Sequence, residues 1–138
     1  MNAKSPEPKE WTIARRWLAR ADEDIAVAEL LIAQAEPVLL AAAFHCQQAA
    51  EKIAKAMLIV FHTRPPKTHD LEKLAELLST VDPQIGTRMF ELRALTTWYV
   101  GARYPGASDE TPSTTDVISS LSKLRALRRQ IDSLAPKP

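Results

Sequence analysis

The chain has 138 residues, 46% hydrophobic and 25% charged, with a formal net charge of +1 at pH 7. Such a composition fits one globular domain with a real core. The charge balance excludes bulk attraction to nucleic acid or membrane, so any nucleotide site must be local. The single cysteine, Cys46, excludes an internal disulfide and fits a reducing compartment. No run of about eighteen apolar residues is present. The opening "MNAKSPEPKE" lacks the apolar core of a signal peptide, and a cytoplasmic protein is expected.

Three glycines and ten prolines, the latter mostly between apolar runs, punctuate a helical chain. No stretch shows sustained period-two alternation, so no sheet is predicted. Residues 1–10 are expected to be a disordered segment, and residues 11–135 one helical domain. A first helix is predicted over about residues 8–34, where Trp11, Ala14, Leu18, Ala21, Ile25, Ala28 and Ile32 recur at steps of three and four. Glu36-Pro37 ends it. A second, Ala-rich helix is predicted over residues 38–61, with Leu40, Phe44, Ala50, Ile53, Ala54, Met57 and Phe61 on its apolar side. The turn "HTRPPKTHD" leads to a short third helix with Thr68 or Asp70 as cap and Leu71, Leu74, Leu77 and Leu78 buried. A fourth long helix is predicted from Asp82-Pro83 to Arg103, its face formed by Ile85, Met89, Leu92, Thr96, Tyr99 and Arg103. Pro105-Gly106 stops it. A polar loop, "ASDETPST", precedes a fifth helix over residues 114–134. The expected fold is all-α: an up-and-down bundle of four long helices plus one short helix.

Three groups are candidates for chemistry. Tyr99 and Arg103, four residues apart, share a helix face, with Trp98 and Tyr104 beside them. An arginine closing an apolar stripe needs a partner. The options are a carboxylate such as Asp22 or Asp24, or a phosphate held by two parallel bonds. Tyr and Trp rings could stack on a base. A plain helix end, with arginine near the C-terminal dipole, explains the same residues. On the second helix His45, Gln48, Lys52 and Lys55 form one polar strip, either an anion site or a solvated face. The stretch "RPPKTH", residues 64–69, pairs an arginine with a histidine but reads as a turn and helix start. Asp22 and Asp24 do not face the same way on a helix, so no metal site is expected. No Gly-rich phosphate loop, HExxH, Cys-x-x-Cys or nucleophile elbow occurs. The histidines are His45, His62 and His69, and none follows Arg103.

Three stretches together resemble the HEPN domain, a helical nucleotide-binding family of prokaryotes and higher eukaryotes. They are "ARADEDIAVAELLI", with Ala21, Asp24, Ala28 and Leu31; "AAFHCQQAAEKIAKAMLI" running into "RPPKTHDLEKL"; and "TTWYVGARYPG". The likeness covers about residues 11–134. It implies a homodimeric helical bundle in a nucleotide or RNA setting. Many such domains partner a minimal nucleotidyltransferase in a toxin–antitoxin-like pair, and others are metal-independent ribonucleases. The ribonucleases use an arginine, then a few residues, then a histidine. Arg103 stands where that arginine is expected, and residues 104–111 hold no histidine. The resemblance therefore implies a non-catalytic nucleotide- or RNA-binding module using Arg103, Tyr99, Tyr104, Lys52 and Lys55, with no cofactor. A degenerate ribonuclease, with His69 or an acid such as Asp109, Glu110 or Asp116 replacing the histidine, and a purely structural dimerisation module are the alternatives.

Overall fold

The apolar stripe of the first segment becomes helix α1 (Lys9–Ile32), burying Trp11, Ala14, Leu18, Ala21, Ile25 and Ala28 along one side. The computed structural model describes residues 7–103 and 111–137, residues 100–103 by backbone alone. Residues 1–6, part of the expected disordered segment, lie outside the described residues, and α1 already begins at Lys9. After the turn through Pro37 comes α2 (Leu39–Val60). It buries Ala42, Ala43, Cys46, Ala49, Ala50, Ile53, Ala54, Ala56, Met57 and Leu58, most of its circumference. Helix α2 is thus the central post of the fold. Its small alanines let the neighbours come close, and α1 packs along it more extensively than any other pair. Its end is turned by His62, which takes a left-handed backbone (φ 57°) while Thr63 N–H returns to the Leu58 carbonyl at 2.8 Å.

Helix α3 (Leu71–Ser79) is capped by Asp70, whose carboxylate accepts from the N–H groups of Glu72 and Lys73. It buries Leu71, Leu74, Ala75 and Leu78, while Leu77 is only half-buried. Asp82 caps α4 (Pro83–Phe90) in the same way, with proline at the first turn. The last helix, α6 (Thr114–Leu134), opens on a reciprocal capping box. Ser113 Oγ accepts from Asp116 N–H at 3.0 Å, and Asp116 Oδ2 accepts from Ser113 N–H at 2.8 Å.

One expected helix is two. The run read as continuous from Asp82 to Arg103 breaks at residues 91–94 into α4 and α5 (Leu95–Arg103). Across the break the backbone bonds tighten to the i→i−3 pattern, as from Leu92 N–H to Met89 O (3.0 Å) and from Leu95 N–H to Leu92 O (3.0 Å). Arg93 fastens the turn: its guanidinium lies 4.0 Å from the Phe90 ring centre and donates to the Phe90 carbonyl at 3.1 Å. The break lets α4 lie on α3 and α6 while α5 lies on α2. Among the described residues the bundle therefore has three long and three short helices, all α, with no strand.

The α3–α4 crossing depends on Gly86. A Cβ there would stand 2.7 Å from the backbone N and Cα of Ser79 and closer still to its hydroxyl. Gly86→Ala is expected to cost about 1–3 kcal/mol through overpacking, read as a lower urea midpoint. Because backbone atoms are involved, adding Ser79→Ala should not restore the loss.

Candidate functional site

The polar strip of α2 is neither bare nor freely solvated. It is a seam of paired charges between α1, α2, α5 and the start of α3. On the α1 side, Asp24 is 9% exposed. Its carboxylate binds the Lys52 ammonium and lies 2.9 Å from His45 Nδ1. On the α3 side, Glu51 is 6% exposed. It accepts from Lys55 Nζ at 2.7 Å and from Gln47 Nε2 at 3.2 Å, and both its oxygens lie 3.0 Å from His69 Nδ1. Gln47 also donates to the His69 carbonyl at 3.1 Å, and Gln48 donates to Gln47 Oε1 at 2.7 Å.

Helical spacing builds each half. Gln47, Glu51 and Lys55 follow one another at four-residue steps, so one carboxylate receives donors from the turns before and after it. Asp24 falls between Ala21 and Ala28 in the buried stripe of α1. A carboxylate placed there must find partners across the helix contact: Lys52 supplies the charge and His45 a ring nitrogen. Burial pushes the Glu51 carboxyl toward its neutral form. The hydrogen bonds from Lys55, His69 and Gln47, with the Lys55 charge, outweigh burial and hold the pKa below its ordinary value.

An aromatic run ties the two halves together. The Phe44 and Tyr99 rings stack with centres 5.5 Å apart and 7° between planes, and His69 lies 5.1 Å from Tyr99. Phe44 meets His45 edge-on at 5.5 Å. Leu71 N–H donates to Thr96 Oγ1 at 3.2 Å, fixing the entry of α3, and hence His69, against α5.

The residues expected from sequence divide into three sets. Lys52 and Lys55 are present in the seam, each committed to a carboxylate, with side chains 27% and 17% exposed. Tyr99 is brought to the same seam and is buried against Phe44 and His69. The Arg103 side chain and all of Tyr104, Pro105, Gly106, Asp109 and Glu110 lie outside the described residues. Both carboxylates offered to Arg103 hold other partners. Asp22 receives Arg128 in a two-pronged bond, 2.8 and 3.1 Å, and Asp24 receives Lys52 and His45. The "RPPKTH" stretch is a turn and helix start, as its prolines suggested, yet it delivers His69 into the seam. Glu51, Gln47 and Phe44 were not singled out from sequence. The signal for Glu51 was its lysine at i+4 and glutamine at i−4; the signal for Asp24 was its place in an apolar stripe.

No group of three His, Cys, Asp or Glu side chains among the described residues is arranged to hold a metal. Burial pushes the Cys46 thiol up to about 12, so it is no nucleophile at neutral pH. No described helix is long and apolar enough to cross a membrane. A family model for the HEPN domain matches residues 14–133. No curated protein and no solved structure matches the chain.

Proposed function

We propose, from the premise that the chain belongs to the HEPN domain family, that it is a non-catalytic module binding a nucleotide or RNA. It would serve as partner of a minimal nucleotidyltransferase in a toxin–antitoxin-like pair, as a homodimer. One observation carries this reading. The seam gathers Lys52, Lys55, His45 and His69, the last of these against Tyr99, and Arg103 follows Tyr99 by four residues on α5. A helix turn thus separates the proposed phosphate-gripping arginine from Tyr99, whose ring stacks on Phe44 and lies against His69.

Calorimetric titration with nucleotides and with single-stranded RNA tests it. A charge-assisted hydrogen bond contributes about 1.5–3 kcal/mol, so Arg103→Ala should weaken binding by about 10- to 150-fold. Equal affinity in both proteins, or none in either, would sink the site. Light scattering checks the dimer, for which a mass of 15.3 kDa would be the contrary result.

The Glu51–His69 pair favours a second reading, a degenerate ribonuclease. A buried carboxylate holding an exposed imidazole by Nδ1 is the usual way to orient a general base. His69 would then replace the histidine that does not follow Arg103. RNA cleavage that survives both His69→Ala and Arg103→Ala would reject these roles.

A further inference from the structure

We infer that His45 and His69, rather than Lys52 and Lys55, supply the anion-binding charge of the seam, and that they take phosphate esters together with protons. This rests on the nucleotide- or RNA-binding reading and names the groups that do the recognising.

The same construction occurs twice. A buried carboxylate binds one lysine and the Nδ1 of one histidine: Asp24 with Lys52 and His45, and Glu51 with Lys55 and His69. Two carboxylates cancel two ammoniums, so with neutral imidazoles the seam carries no net charge. A phosphate drawing either lysine away would strand a nearly buried carboxylate, which is strongly unfavourable. The lysines are therefore spent on the fold.

The imidazoles differ. A neutral ring that donates Nδ1–H to its carboxylate leaves Nε2 as a bare acceptor. Neither Nε2 has a hydrogen-bond partner among the described residues. His69 has a side chain 59% exposed and His45 one 31% exposed, both more open than their neighbouring lysines. A bare Nε2 repels a phosphate oxygen. A protonated one donates to it. Protonating both rings takes the seam from neutral to a charge of about +2, which is the attraction a phosphate needs.

The surrounding charges do not spoil this balance. His45 faces Asp24 from α1 and Lys52 from its own helix. Glu29 and Arg125, whose charges reach the adjacent Cys46, bind each other across α1 and α6. His69 faces Glu51 and Lys55 from α2 and Tyr99 from α5, while the carboxylate of adjacent Asp70 is occupied in capping α3. The two imidazoles stand at opposite ends of a run of ring contacts through Phe44 and Tyr99. Two anion sites so separated suit a ligand with more than one phosphate.

The test is calorimetry on the whole protein with two probes: a single-stranded 2′-O-methyl RNA oligonucleotide, which resists cleavage, and ATP. Each is titrated at pH 6 and pH 8 in buffers of different ionisation heat. Phosphodiesters do not titrate in this range, so protons counted in the oligonucleotide arm enter the protein. The expected result is net proton uptake near neutral pH and binding about tenfold tighter at pH 6 than at pH 8. In the His45→Gln/His69→Gln double variant both effects should vanish. Should that variant fail to fold, the proton count on the native protein decides alone. Uptake in the oligonucleotide arm supports a strand as ligand; uptake confined to ATP supports a free nucleotide only where it exceeds the uptake of the double variant, because the terminal phosphate of ATP itself titrates in this range. Binding without proton uptake overturns this inference and leaves the broader reading standing. No binding of either probe at either pH removes both.

Discussion

Glu51→Ala is expected to lower the unfolding free energy by about 3–5 kcal/mol, the usual cost of removing one partner from a buried ion pair. The loss is not only that of the carboxylate's own bonds. Lys55, His69 and Gln47 all direct donors at Glu51, and Lys55 is mostly enclosed. An alanine would leave a largely enclosed ammonium without its carboxylate. Domains of this kind have a total stability of about 5–15 kcal/mol, so the variant should sit near the edge of folding. Urea denaturation followed by circular dichroism reads the effect as a lower midpoint at similar slope. A midpoint within error of the native protein would show that the seam contributes no structural energy. The acid limb gives a second measurement. The Glu51 pKa is held below its ordinary 4.5 in the folded chain. Its contribution is therefore fully present above that value and is lost as pH falls through the lower folded value. Glu51→Gln should flatten this part of the stability curve, provided that it folds.

Leu71→Ala is expected to cost about 2–5 kcal/mol, as for other fully buried leucines. Leu71 is 0% exposed at the first turn of α3. Its backbone N–H is the group that bonds Thr96 on α5. Truncation leaves a cavity at the joint that places His69 beside Tyr99, so loss of stability and displacement of His69 should come together. Thr96→Val separates the two contributions. It removes the hydroxyl while nearly keeping the volume and leaves the Leu71 N–H unpaired, so it should cost about 1–3 kcal/mol. Equal effects from the two substitutions would show that the polar bond, rather than the packing, holds α3 to α5. The imidazole signals of His69 by NMR report whether its environment changes with either.

Most of the helices were legible because their causes are local. The stripe from Trp11 to Ala28, the cap at Asp82 with Pro83, and the start at Thr114 each depend on residues within a few positions. The family likeness was legible too, in motifs spread along nearly the whole chain. The break at residues 91–94 was not. Glu91, Leu92, Arg93 and Ala94 include no glycine or proline, and a helical face runs through them unchanged. The chain turns there because α4 and α5 have different neighbours, and local propensity carries no record of neighbours.

The same division runs through the candidate site. Sequence spacing alone put His45, Gln48, Lys52 and Lys55 on one strip of α2, and Tyr99 four residues before Arg103, because helical periodicity fixes which side chains share a face. Whether that strip faced water or another helix was decided only by tertiary packing. Asp24 comes from the opposing helix, twenty-one residues before His45, and His69 from a turn eighteen residues beyond Glu51. Those contacts convert a row of apparent free cations into two neutralised pairs with an imidazole at each. The sequence by itself determined an all-helical chain of the HEPN family with a polar strip on its second helix. Only the folded chain decided which of its bases are already committed, since charge pairing depends on distances across helices that no local pattern encodes.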